Sequence, residues 1–155
     1  YGMPQTGLRF FTVYGPWGRP DMALYIFADA IMNGRSIEVF NHGDMKRDFT
    51  FVDDIVTGVV AAHDNPPTTS DGAPHRVYNI GNHRSEPLMR LIEILENALG
   101  RKAEVHMKPM QLGDVKESFA DIDAIRNDLG FEPTTPIDVG VPKFVEWFKA
   151  YNGYD

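Results

Sequence analysis

The chain has 155 residues, 43% of them apolar and 24% charged, which is long enough to bury a core and is the makeup of a globular domain. It has no cysteine, which excludes disulfides, thiolate catalysis and cysteine-held zinc, and no run approaches the roughly 18 apolar residues of a membrane span. A net charge of −7 disfavours a broad nucleic-acid surface, which needs clustered Lys and Arg, yet leaves room for a small anionic ligand held by two or three local arginines. No signal peptide is visible at Tyr1, which means little if the real amino terminus lies upstream; the default expectation is a cytoplasmic location, with neither membrane nor nucleic acid as partner.

In chain order, residues 7–13 carry apolar groups on both faces, as a buried parallel strand does. The pattern breaks at Gly15-Pro16 into a loop holding Trp17 and Arg19, and helical spacing begins near Met22 and runs to Met32, with Asn33-Gly34 as its stop. A strand that ends in such a loop and then a helix is where an open α/β sheet holds a ligand. Ile37 to Phe40 reads as a short strand followed by the turn-rich Asn41-His42-Gly43-Asp44, and Lys46-Arg47-Asp48-Phe49 leads into a helix from about Val52 to His63. Residues 65–74, rich in Pro, Thr and Ser, read as an exposed loop. Arg76 to Ile80 is a further strand ending at Gly81. Ser85 is then placed to cap a helix whose first turn contains Pro87, whose apolar face is Leu88, Leu91, Ile92, Leu95 and Leu99, and which Gly100 closes. Ala103 to Met107 reads as a strand and residues 109–117 have no regular period. Asp121 is placed to cap a short helix through Leu129, and a last helix runs from Ile137 to Tyr151. Strands alternating with helices predict an α/β fold. The two strands near 7–13 and 76–80, each covered on both faces, need neighbours that these residues do not supply, so the chain is expected to be a piece of a larger enzyme.

Several side chains can carry chemistry, each beside a plainer role. Arg19 can hold a carboxylate or phosphate through two parallel hydrogen bonds, or it can cap loop carbonyls. Thr12 can offer its hydroxyl to a ligand or fill a β position. Arg47 can meet an anion or form a local salt-bridged turn with Asp48. Asp114, after Gly113, suits a vicinal diol or a loop cap, and Phe40 can stack on a base or pack in the core. The paired Asp53 and Asp54 are best explained as an N-terminal cap. The five histidines show no metal-ligand spacing, and no metal is expected. Neither a P-loop, a G-x-S-x-G elbow nor a G-x-G-x-x-G fingerprint is present.

Together these segments resemble the extended short-chain dehydrogenase/reductases that epimerise or dehydrate nucleotide sugars. The resemblance is carried by Leu8 to Met22, by Arg47-Asp48-Phe49-Thr50-Phe51-Val52-Asp53-Asp54-Ile55, and by Tyr78-Asn79-Ile80-Gly81. It continues at the carboxyl end through Leu129-Gly130-Phe131-Glu132-Pro133-Thr134-Thr135-Pro136 and Phe144-Val145-Glu146-Trp147-Phe148. The wording Phe10-Phe11-Thr12-Val13-Tyr14-Gly15-Pro16-Trp17-Gly18-Arg19-Pro20-Asp21-Met22-Ala23 is most similar to the UDP-glucuronate 4-epimerases. The resemblance implies the last strands of a Rossmann-type sheet plus the small substrate-binding domain. Residues 1–155 are then expected to be the C-terminal portion, with the N-terminal half absent.

The same resemblance implies roles. Thr12 and Arg19 face the sugar, with Arg19 on its carboxylate. Glu38 (through its backbone) and Phe40 meet the uracil, Arg47 the diphosphate and Asp114 the ribose, and Phe10 and Phe11 pass close to the nicotinamide of NAD. One departure is Gln111, where many relatives place a phosphate-binding arginine. The implied reaction is 4-epimerisation through a 4-keto sugar, with NAD as hydride carrier and a Tyr-x-x-x-Lys pair for the proton. That pair is not in this chain, since Tyr1 has no lysine four residues on. The chain alone is therefore expected to be inactive, and the resemblance implies that its intact parent is a homodimer. A 4-keto uronate is a β-keto acid, and an arginine holding its carboxylate out of line with the ketone slows loss of carbon dioxide. The alternatives are a UDP-galactose 4-epimerase or UDP-uronate decarboxylase, or a non-catalytic nucleotide-sugar-binding or assembly module.

Overall fold

The computed structural model describes residues 2–68 and 73–154. Tyr1 and the middle of the predicted 65–74 loop, residues 69–72, lie outside the described residues. The order of elements is β1 (Gln5–Phe10), β2 (Thr12–Tyr14), α1 (Ala23–Met32), β3 (Ile37–Val39), β4 (Lys46–Arg47), β5 (Phe49–Phe51), α2 (Val52–Asp64), β6 (His75–Ile80), β7 (Glu86–Pro87), α3 (Leu88–Leu99), β8 (Val105–Met107), α4 (Asp123–Leu129) and α5 (Ile137–Asn152). The fold is α/β. Among the described residues no helix is long and apolar enough to cross a membrane.

The strand expected at 7–13 is two strands. β1 pairs in parallel with β6, and β2 pairs in parallel with β5. The break falls at Phe11, whose N–H still reaches the Ile80 carbonyl (3.3 Å) while its own carbonyl accepts from Val13 (3.1 Å). The chain thus changes partners in one residue and leads into the Gly15–Arg19 loop. Nor is β1 buried: with β6 as its single neighbour among the described residues, its residues are half-buried or exposed, Phe10 to 53%.

Two apolar clusters hold these pieces. The larger joins α1, α3 and α5 to β2, β3 and β5 through Phe27, Ile31, Val39, Phe49, Phe51, Leu91, Leu95, Phe144 and Phe148. The smaller joins α2 and α4 to β6 through Ile55, Tyr78, Ile80, Ile125 and Phe131. Gly58 is essential to the second, because a Cβ there would collide with Ile80 and Phe131 as α2 presses onto β6.

The predicted helices form where the apolar periodicity placed them. Gly100, Gly130 and Gly153 close α3, α4 and α5 in the left-handed conformation that glycine adopts without a steric cost. The start of α3 differs. Ser85 makes no cap; Pro87 stands at the cap position, and the Leu88 N–H is satisfied by the Met45 carbonyl at 2.9 Å. Ser85 Oγ is buried without a partner among the described residues. The hydrogen bond to Met45, together with the antiparallel pairing of β4 and β7, ties α3 to the strand that carries Arg47. Asp121 is not the cap of α4, whose cap position is Ile122; one residue earlier, its Oδ1 accepts the Asp123 N–H at 3.1 Å.

Candidate functional site

A cavity of about 530 Å³ opens between α1, β3, β4 and the 111–114 loop. Thr12, Glu38, Phe40, Arg47 and Asp114 all line it, with Gln111 on the same wall. Each is positioned by backbone order. Thr12 opens β2, where its N–H donates to the Asp48 carbonyl at 3.1 Å. Glu38 lies mid-strand in β3, whose ladder bonds to β8 fall on Ile37 and Val39: Ile37 N–H donates to Glu104 O at 2.8 Å and Lys108 N–H to Val39 O at 2.8 Å. In a parallel ladder alternate residues bond, so the Glu38 N–H and C=O turn to the other edge, where a planar base can meet them. Its side chain points outward to Lys108 Nζ at 3.2 Å. Phe40 follows at the strand end, half-buried, before a tight turn in which Asn41 and His42 have φ of 49° and 50°.

Arg47 is fixed more firmly than a surface arginine. Its Nη1 donates to the carbonyls of Lys46 (2.8 Å) and Lys116 (3.3 Å), and its Nη2 donates to Asp114 Oδ1 at 2.6 Å. Three of the five guanidinium donors are thereby used, leaving Nε–H and one Nη2–H without a partner among the described residues, which suits an anion. Asp114 also accepts the Val115 N–H at 2.8 Å, so its carboxylate orders its own loop while holding Arg47. The local Arg47–Asp48 turn does not form.

Asp48 instead turns fully inward, and sequence reasoning missed its role. Its Oδ1 accepts from Thr50 Oγ1 (2.8 Å) and the Asn82 N–H (2.6 Å), and its Oδ2 accepts the Ala120 N–H (2.9 Å). One buried carboxylate thus ties the Arg47 strand to the loop after β6 and to the segment that continues from Asp114. Gly81 belongs to this arrangement, since a Cβ there would stand 2.6 Å from Ala120 Cβ and 3.0 Å from Asp48 Oδ2. No local sequence signal marks this role, because the adjacent Arg47 offers Asp48 a nearer partner and two of its donors lie 34 and 72 residues away. Asp54 is a second cross-tie rather than the expected cap, accepting from Thr134 Oγ1 at 3.2 Å and the Thr135 N–H at 2.9 Å.

Arg19 is not in this cavity. With Phe10, Phe11, Trp17 and Val52 it lines an adjoining open cleft of about 380 Å³ under the Gly15–Arg19 loop. Thr12 stands at the boundary, lining the cavity while its neighbours Phe11 and Val13 line the cleft. The loop turns sharply at Gly15 (φ 141°), where a Cβ would come within 2.6 Å of Val52 Cγ1. Trp17, left-handed at φ 61° and 77% exposed, rests on Trp147 and Tyr151 of α5 with ring centroids 5.6 Å apart in each case. Arg19 itself is engaged by Asp21, Nε to Oδ1 at 3.0 Å and Nη2 to Oδ2 at 2.5 Å.

Residues 1–81 match the family model described as NAD dependent epimerase/dehydratase family. The chain is 47% identical to protein CapI of Staphylococcus aureus, covering 97% of this chain and 49% of that protein. It is 46% identical to the probable UDP-glucuronate 4-epimerase of Rhizobium meliloti, covering 96% and 47% respectively. It therefore spans about half the length of the curated relatives it matches. Among solved structures, the UDP-glucuronic acid 4-epimerase from Bacillus cereus in complex with UDP-glucuronic acid and NAD superposes with a TM-score of 0.82 at 31% identity, over 93% of this chain and 45% of that one.

Proposed function

Because the chain belongs to the NAD dependent epimerase/dehydratase family, we propose that it is the nucleotide-sugar-holding portion of a UDP-glucuronate 4-epimerase. The observation that carries the reading is the gathering of Thr12, Glu38, Phe40, Arg47 and Asp114 about one cavity, with Arg19, Phe10 and Phe11 in the cleft beside it. On this reading the outward backbone of Glu38 and the ring of Phe40 hold the uracil, and the ribose lies against Asp114. Arg47 receives the diphosphate on its two remaining N–H groups. With Gln111 in place of a second arginine, Arg47 is the main cation there. The sugar then crosses Thr12 into the cleft, where Arg19 takes the uronate carboxylate.

Phe10 and Phe11 are the residues of this chain that would meet NAD: an exposed and a half-buried ring at the end of β1, beside an apolar cleft, fit a planar nicotinamide. When bound, NAD supplies the reversible hydride acceptor that 4-epimerisation requires. The strands β1 and β6 are assigned to the outer part of a larger Rossmann-type sheet, and no Tyr-x-x-x-Lys pair lies within these residues, so turnover by this chain alone is not expected. The intact enzyme is assigned as a homodimer in the cytoplasm.

The role of Arg19 is chemical as well as geometric. A 4-keto uronate loses carbon dioxide most readily when the bond to the carboxylate stands parallel to the π orbitals of the ketone, and a guanidinium holding the carboxylate in two parallel bonds fixes where that bond points. The test is the product mixture of Arg19→Ala in the full-length polypeptide. A lower epimerisation rate with a larger share of pentose is expected; an unchanged rate and product ratio would overturn the assignment.

A further inference from the structure

The engagement of Arg19 by Asp21 has the form of a bound ligand. Two parallel N–H···O bonds place a guanidinium fork on a carboxylate, which is the arrangement a uronate would make at the same fork. The pair is built by the local chain. Pro20, between the two residues, fixes one backbone angle, and the Met22 N–H closes on the Arg19 carbonyl at 3.2 Å, turning both side chains together ahead of α1. Asp21 lines the cavity with Thr12 and Arg47, whereas Arg19 lines the cleft, so the pair bridges the boundary that the sugar would cross.

We propose that Asp21 is a specificity-setting residue, an internal carboxylate that occupies the Arg19 fork until the carboxylate of a uronate sugar displaces it. The proposal rests on the reading of Arg19 given above. Exchange is feasible because the side chains are 75% and 62% exposed, and an ion pair open to water is weak enough for a competing carboxylate to replace at little cost. The hydrogen bonds to Arg19 hold the Asp21 carboxyl below its usual range, and those to Asp21 raise the Arg19 guanidinium further. A neutral hexose leaves the pair intact, whereas a uronate must take over the fork. Its apparent affinity is reduced by the fraction of time that Arg19 is occupied. Asp21 therefore limits how strongly a charged sugar is preferred, and it gives a released product a carboxylate to replace it.

The test is calorimetric titration of the full-length polypeptide with UDP-glucuronate, UDP-glucose and UDP, for the parent, Asp21→Asn, Arg19→Gln and the double variant. Asp21→Asn is expected to tighten UDP-glucuronate about two- to fivefold, the range set by an exposed pair, and to leave UDP-glucose and UDP unchanged. In the Arg19→Gln background the same change should have no effect. If Asp21→Asn still tightens UDP-glucuronate without Arg19, the effect is bulk charge and the proposal fails. It fails equally if Asp21→Asn leaves the ratio of charged to neutral sugar the same, or lowers it, while Arg19→Gln reduces that ratio. If Arg19→Gln leaves the ratio untouched, the carboxylate reading of Arg19 falls first and the proposal with it.

Discussion

The cavity beside β3 and β4 and the cleft under the Gly15–Arg19 loop adjoin at Thr12, yet they hold their arginines in opposite ways. Arg47 is bound by two carbonyls and a carboxylate that come from its own strand and from the 114–116 segment, and its side chain is only 18% exposed. Arg19 is bound by one carboxylate two residues away and stands in solvent. A cation anchored by tertiary contacts suits a part of the ligand that never varies, such as a diphosphate. One whose partner is local and exchangeable suits the part on which ligands differ.

The largest effect is expected where the anchored side is built. In Asp48→Ala three buried donors, Thr50 Oγ1, Asn82 N–H and Ala120 N–H, lose their acceptor at once. Leaving such groups unpaired costs about 1–3 kcal/mol each before relaxation, so a loss of about 3–5 kcal/mol is expected in urea unfolding. Arg47 and the 114–120 segment would also lose their common tie. A loss below about 1 kcal/mol would show that the three segments are held together by packing instead, and the contrast between an anchored and an exchangeable cation would weaken.

This hub also shows what the sequence makes legible. Helices with apolar spacing and a glycine stop, such as Leu88 to Leu99, are readable because neighbours three and four apart decide them. The residues that line the cavity and the cleft were named through a resemblance carried by contiguous runs. What was hidden depends on contacts distant in the chain. Nothing local reveals that Asp48 bonds to Asn82 and Ala120 rather than to Arg47, that the Met45 carbonyl replaces a Ser85 cap, or that the strand at 7–13 changes partner at Phe11. The bipartition of the site was likewise invisible, because Thr12 and Arg19 are seven residues apart yet face different spaces.

A direct comparison of the two arginines gives the next effect. Arg47→Ala removes charge-assisted hydrogen bonds, each worth about 1.5–3 kcal/mol, from a group that every UDP ligand would meet. UDP, UDP-glucose and UDP-glucuronate should therefore all weaken by the same factor, about ten- to hundredfold, in calorimetric titration. A selective loss for the charged sugar alone would mean that Arg47 and Arg19 have been assigned to the wrong ends of the ligand.

The smallest effect separates the cleft from the core behind it. Tyr14 ends β2, lines the cleft with one edge and packs its hydroxyl over Gly140 of α5, where Oη finds no partner among the described residues. Burial, reinforced by the charges of Asp54, Asp138 and Glu86, holds its phenol protonated well above the usual range. Tyr14→Phe removes an unpaired buried hydroxyl and keeps the ring against Phe51, so a gain of about 1 kcal/mol is expected. The gain should change with pH in a fixed direction. In the unfolded chain the phenol releases its proton near pH 10, whereas in the folded one it does not, so above that pH the unfolded state binds fewer protons and the parent loses stability as pH rises. The variant lacks this group. The difference between the two unfolding free energies should therefore be constant below about pH 9 and widen above pH 10 by at most about 1.4 kcal/mol per pH unit. Parallel curves through pH 11 would mean that the Tyr14 hydroxyl reaches water through the cleft, and the wall between cleft and core would then be open at its base.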